Sequence, residues 1–252
     1  MLAAASGAAQ AADAGPVGDL PYHVPAFRMG GGWISNLPLS GILSSVAAAG
    51  GSVAVLNEAQ RLALTRYLST LASMGPATHP ELFASRADVL AYLVDAHLAW
   101  SIALARRGVS GAAASRTEFP LDGEAWTLQR IAATLATLAP SEPRLAFFLG
   151  GNGSLPPLPP TAVEGWSLDW QLALQAHRTG AAAGFWSYDP SAALVTLPHL
   201  VAGLPGLGGD IRARARRLLD LAPPSPTLAA AIRSGCGPDL GHCRIVIAPH
   251  PL

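Results

Sequence analysis

The apolar positions along this chain fall into separate stretches with different periods. Over residues 57–74, NEAQRLALTRYLSTLASM, Leu62, Leu64, Leu68 and Leu71 recur against a wetter set of Arg61, Thr65 and Arg66. That spacing predicts an amphipathic helix, and Gly75-Pro76 ends it. Residues 86–107 are apolar nearly all round, through Val89, Leu90, Leu93, Val94, Leu98, Ile102 and Leu104. A helix with no wet face belongs inside a core. Ser85 and Asp88 stand at capping-box spacing before it, and Arg106-Arg107-Gly108 supplies a basic last turn and a glycine stop. Further helices are predicted over 123–138, with Leu128, Ile131, Leu135 and Leu138 on one face, over 167–178 from a Ser167 cap to Gly180, and over 211–221.

Strands are predicted where short apolar runs lie between turn signals, at 144–149, 193–197 and 244–248. Residues 18–55 read as turns around short apolar runs such as ISNLPLSGIL, and GGNGSLPPLPP at 150–160 reads as an irregular loop. The triple glycine at 30–32 lacks the Gly-Lys-Ser/Thr of a phosphate-binding loop and the spacing of a dinucleotide fingerprint. The pattern predicts an α+β fold: a mostly helical single domain over residues 18–252, with a small sheet and a buried central helix near 86–107.

Composition narrows the class. Half of the 252 residues are apolar and 13% are charged, so the chain has ample material for a core and not the balance of a disordered one. Formal net charge is zero, which gives no field to gather nucleic acid or an anionic membrane. No uninterrupted apolar run reaches 18 residues, so no transmembrane segment is predicted. Residues 1–17 read as a signal-peptide remnant ending near the Ala9-Gln10-Ala11 triplet, or as a disordered Ala-rich tail. The first alternative implies a periplasmic or secreted protein.

Candidate chemistry is sparse. Cys236 and Cys243, separated by a Gly- and Pro-rich hexapeptide, read as a disulfide loop, with two buried thiols as the alternative. A metal reading would recruit His242, but the spacing is not that of a zinc site, and no metal or cofactor is expected. Asp95 and His97 interrupt the most apolar helix. They are either core polar groups satisfied by hydrogen bonds or remnants of a site. Arg212 and Arg216 share a helix face and suit a phosphate or carboxylate, although such runs are commonly solvated. Trp166, Trp170 and Trp186, near Asp169 and Asp189, suit a sugar or another protein, or else pack in the core. No Gly-x-Ser-x-Gly elbow and no His-x-x-x-His pair occurs.

The order of several motifs resembles the family known as Domain of Unknown Function 547. Leu93-Val94-Asp95-Ala96-His97-Leu98 takes the place of its Trp-Ile-Asn-x-Tyr-Asn signature, and Leu128-Gln129-Arg130-Ile131-Ala132 that of Leu-x-x-Ile-Glu. Arg144-Leu145-Ala146-Phe147 resembles its Arg-x-His-Phe, and Leu155-Pro156-Pro157-Leu158 its Ser-Cys-Pro-Pro-Leu. The resemblance covers residues 55–250 and implies a degenerate member. The family's histidine falls on Ala146, its glutamate on Ala132, and its loop cysteines on non-thiol residues. The expectation is therefore an exported, non-catalytic accessory or binding protein, a pseudoenzyme whose partner is another protein or a small polar ligand. Two alternatives stand beside it: an enzyme of hydrolase type using Asp95, His97 and Arg144, and a structural subunit of a larger assembly. Without a base near it, Ser154 in the 150–158 loop is expected to be inert.

Overall fold

A computed structural model describes residues 26–29, 32–150, 156–204 and 206–248. The expectations for residues 1–17, for Gly30 and Gly31, and for Ser154 lie outside these residues. Strands β1 (Ala26–Met29) and β2 (Gly32–Ser35) form an antiparallel hairpin with Met29 opposite Gly32. Helix α1 (Leu37–Ala48) follows, which corrects the reading of 18–55 as turns around short apolar runs. Its Leu39, Ile42, Leu43 and Val46 are all buried, at the i, i+3, i+4, i+7 spacing of a helix face. Gly41 within it has open space around it, so its cost is only the roughly 1 kcal/mol of propensity, which burial of four large side chains outweighs.

Helix α2 (Glu58–Ser73) begins with a reciprocal capping box: Gln60 N donates to Asn57 Oδ1 at 2.9 Å, and Asn57 N donates to Gln60 Oε1 at 3.1 Å. Leu64, Tyr67, Leu68 and Leu71 form its buried stripe. Leu62, assigned to that stripe from sequence, is 48% exposed, because two positions before Leu64 is nearly the far side of the helix. Helix α3 (Arg86–Arg106) carries the expected Ser85/Asp88 box, and every residue from Leu90 to Leu104 is buried. It is the one helix among the described residues long and apolar enough to cross a membrane, but 83% of its apolar window is buried inside the protein. It packs against α2, α5 (Leu128–Leu138) and α4 (Gly111–Arg116), and forms the axis of the larger apolar cluster.

The helix predicted from residue 123 starts later. Strands β3 (Phe119–Leu121) and β4 (Glu124–Trp126) form a hairpin whose turn, Asp122-Gly123, has positive φ at both positions. Asp-Gly is the pair such a turn favours. The Asp122 carboxylate also accepts from Ala77 N, Thr78 N and Thr78 Oγ1 at 2.7–2.9 Å, which fixes the hairpin to the end of α2. Residues 144–149 are not a strand: Pro143–Phe148 is a 3-10 helix. Pro143, Leu145 and Phe147 are buried in alternation, with Phe148 buried as well, so the burial pattern partly imitates a strand while no strand among the described residues pairs with it.

Helix α6 (Leu168–Ala181) starts with Ser167 at the N-cap position, as expected, although Ser167 makes no side-chain cap bond; it runs through Gly180, which corrects the stop read there. Beyond it, β5 (Ser187–Asp189), β6 (Leu194–Leu197) and β7 (Arg244–Ile247) form a three-stranded sheet in the order β5-β6-β7. β5 is antiparallel to β6, and β6 is parallel to β7 with Val195 opposite Ile245. The crossover contains α7 (Ile211–Leu221) and α8 (Pro226–Cys236). These elements bury a second apolar cluster around Phe185, Trp186, Val195, Leu218 and Ile232. The 143–148 turn and α6 serve both clusters, since Leu145, Phe148, Leu168 and Leu172 face the first while Phe147 and Ala176 face the second. The result is a mostly helical α+β fold.

Cys236 at the end of α8 and Cys243 just before β7 are joined by a disulfide, and both are buried. Closing a loop of this size stabilises the fold by about 2.5 kcal/mol through chain entropy. It also ties α8 to the sheet at the point where the chain enters β7.

Candidate functional site

The sequence-derived catalytic candidates do not meet. Asp95, 1% exposed, faces the segment before α6: Val163 N donates to its Oδ1 at 2.8 Å. His97, on another face of α3, shares a hydrogen bond of 3.4 Å with Ser101 Oγ one turn on. Burial holds its pKa down to about 4, so the ring is neutral at pH 7. Arg144 is clasped by two carboxylates. Its Nε and Nη2 donate to Glu142 Oε1 and Oε2 at 2.7 and 2.6 Å, and Nη2 also donates to Asp169 Oδ1 at 2.7 Å. Those bonds raise its pKa further above the ordinary arginine value, chiefly through Glu142.

Around Asp95 lies a polar network that the sequence did not indicate. Tyr67 Oη donates to Asn36 Oδ1 at 2.9 Å, and Asn36 Nδ2 donates to Glu164 Oε2 at 3.4 Å. Burial pushes the Glu164 carboxyl up to about 7, against a lowering by the Asn36 amide. Burial also drives Asp95 well above the usual carboxylate range; the Val163 N–H opposes this and the Glu164 charge adds to it. Tyr67 is raised by burial first and then by Asp95 and Glu164. The group thus comprises two carboxyls, an amide and a phenol contributed by α1, α2, α3 and one connecting segment.

That segment, residues 161–167, is held on every side. Ala162 N donates to Ser40 Oγ of α1, Gln171 Nε2 of α6 donates to Ala162 O, and Glu164 N donates to Gln171 Oε1, at 2.7–3.0 Å. Gly165 passes so close to the first turn of α3 that a Cβ there would lie 2.0 Å from Asp88 Oδ1 and 2.9 Å from Asp88 N. The next residue, Trp166, sits in the short 3-10 turn Gly165–Ser167 and projects with 71% of its surface exposed.

Beneath Trp166 is a cleft of about 650 Å³. Its floor is Leu90, Ala139, Leu168 and Leu172, and its polar walls are Arg86, Ser141, Glu142 and Asp169. The bonds from Arg144 fix Glu142 and Asp169 in place. Arg86, at the start of α3, makes no ion pair among the described residues. Of the residues singled out from sequence, Trp166 and Asp169 line this cleft, and Arg144 holds Asp169 and Glu142 in it. Arg86 and Glu142 were missed, because an exposed arginine beside a cap and a glutamate before a proline carry no distinguishing pattern.

The other binding candidates lie elsewhere. Trp186 is a core residue whose Nε1 donates to Ala222 O at 2.8 Å, which corrects its assignment to a binding surface. Trp170 is exposed on α6 outside the cleft. Arg212 donates to Gly241 O and Cys243 O at 3.4 and 3.2 Å and so clasps the disulfide loop, which corrects its reading as part of an anion grip. The Asp239 carboxyl in that loop is held below the usual range first by the Gly241 N–H, with the Arg216 charge a lesser cause. Asp189 accepts from Ser191 N and Oγ within its own turn. Among the described residues, no three His, Cys, Asp or Glu side chains gather as a metal site would need.

No protein-family model matches the chain, and neither a curated protein nor a solved structure matches it.

Proposed function

We propose that this chain is an exported, non-catalytic accessory or binding protein, a degenerate relative of Domain of Unknown Function 547, whose ligand or partner engages the cleft beneath Trp166. The observation that carries this reading is the scattering of the candidate catalytic groups. Asp95 and His97 are satisfied inside the core on different faces of α3, and Arg144 is neutralised by Glu142 and Asp169. A nucleophile, a base and an orienting group have to lie within hydrogen-bond reach of one another, and these do not. A preformed concave site with an apolar floor and a few fixed polar groups is the usual form of a small-ligand site. The disulfide supports an oxidising, extracytoplasmic setting.

A second reading has one specific observation in its favour. Glu164, with its pKa near 7 beside Asp95, has the poise of a general acid. A thermal-shift screen of a metabolite library, followed by mass spectrometry of each stabilising compound, separates the two. The binding reading expects stabilisation that Trp166→Ala removes, with the compound recovered unchanged. Recovery of a converted compound, with conversion lost in Glu164→Gln, overturns it in favour of an enzyme.

A further inference from the structure

The chemistry of the cleft beneath Trp166 restricts what fits it, and the inference rests on the binding reading above. Its charged groups balance. Arg86 is the guanidinium that lines it, Glu142 and Asp169 are the carboxylates, and Arg144, bonded to both carboxylates from outside the lining, offsets part of their charge. An anionic ligand would gain at Arg86 but meet Glu142 and Asp169; a cationic one would gain at carboxylates that Arg144 already pairs and would meet Arg86. Neither sign of charge is selected. What the walls do offer above a largely apolar lining is a few hydrogen-bonding groups, two of them oriented by Arg144, which locks Glu142 bidentately and holds Asp169 by a third bond. The Ser141 hydroxyl adds a group that both donates and accepts.

The aromatic component points the same way. Trp166 exposes 71% of its surface, and its ring is mounted beside Gly165, which has no room to shift toward α3. A large apolar face exposed to water at the mouth of a cleft that carries polar groups suits a ligand with one apolar face and a polar periphery. A pyranose ring has that form: its C–H face lies on an indole, and its hydroxyls, which both donate and accept, reach guanidinium and carboxylate alike. A wholly apolar ligand would displace water from Arg86, Glu142 and Asp169 without returning a hydrogen bond to any of them. The volume, about 650 Å³, admits one or two such rings.

We propose that the cleft bounded by Trp166, Arg86, Glu142 and Asp169 is a binding site for a neutral saccharide. The test is isothermal titration calorimetry of the full chain, a readout that survives replacement of Trp166, with maltose, cellobiose and N,N′-diacetylchitobiose, set against glucuronate, glucosamine and octanoate. A Trp170→Phe variant, which removes an exposed indole on α6 outside the cleft, is expected to leave affinity unchanged. Saturable binding with at least one neutral disaccharide is expected, weakened at least tenfold by Trp166→Ala and largely restored by Trp166→Tyr. Because Trp166 is exposed, its replacement leaves the fold intact, which the melting temperature checks. Trp166-dependent binding of glucuronate, glucosamine or octanoate alone overturns the saccharide assignment and leaves the binding reading standing. Binding by none of the six also overturns it, and the broader thermal-shift screen then decides the binding reading separately.

Discussion

Gly180→Ala is expected to destabilise the protein by about 3 kcal/mol, against the direction that helix propensity alone would give. Alanine is the better helix former by about 1 kcal/mol, and Gly180 is inside α6. At this position, however, a Cβ would lie 2.1 Å from Ala222 O, 2.2 Å from its carbonyl carbon and 2.6 Å from Pro223 O. All three are backbone atoms and cannot swing aside as a side chain would. The same Ala222 carbonyl accepts the buried Trp186 Nε1–H, so pushing the 222–223 segment away also strains a hydrogen bond in the second apolar cluster. For a chain of this length the loss corresponds to a fall in melting temperature of roughly 6–12 °C. A neutral or stabilising effect in a thermal melt would show that α6 and the 222–223 segment do not touch as described.

The other large effect concerns Asp95, where two substitutions are expected to diverge. Asp95→Ala strands the buried Val163 N–H and is expected to cost about 2–3 kcal/mol. Asp95→Asn keeps an oxygen to accept that bond and resembles the protonated acid that burial favours. Its stability relative to the native chain depends on pH. In the unfolded chain Asp95 and Glu164 ionise near their ordinary values, 3.8 and 4.5, while in the folded chain both hold their protons to higher pH. The unfolded state then binds fewer protons, so native stability falls as pH rises from about 4 through the Glu164 value near 7. His97 acts in the opposite sense: its folded pKa of about 4 lies below 6.5, so its contribution is complete above 6.5 and is lost as pH falls toward 4. Asp95→Asn removes one of the carboxyl terms and leaves the histidine term. Urea melts from pH 4 to pH 8 are expected to show the Asn variant overtaking the native chain as pH rises. Equal loss in the Asn and Ala variants at every pH would mean that folding requires the Asp95 carboxylate in its charged form.

What could be read from sequence was set by locality. The α2 and α3 boundaries follow from Asn57, Ser85 and Asp88, whose capping bonds involve residues three positions away. The central burial of α3 follows from an apolar run with no polar face. Features that depend on distant partners were not legible. The 143–148 turn has partly strand-like alternation, but only the sheet topology shows that no strand among the described residues pairs with it. Gly180 resembles a helix stop until Ala222, 42 positions later, is seen to need the space. The carboxyl network joins Asn36, Tyr67, Asp95 and Glu164 across 128 residues, and nothing local marks Glu164 as half-buried beside Asp95. The disulfide was legible because its two cysteines are seven positions apart and the chain has no others.

The central claim, that the cleft beneath Trp166 is a binding site for a neutral saccharide, has a direct spatial test. Hydrogen–deuterium exchange of the native chain, with and without a saturating mixture of the three neutral disaccharides, reports where the backbone gains protection. The account predicts protection confined to the start of α3 near Arg86, the 139–142 connection, and residues 165–172. Protection centred on the disulfide loop or the 212–217 arginines, or none anywhere on the chain, would contradict it.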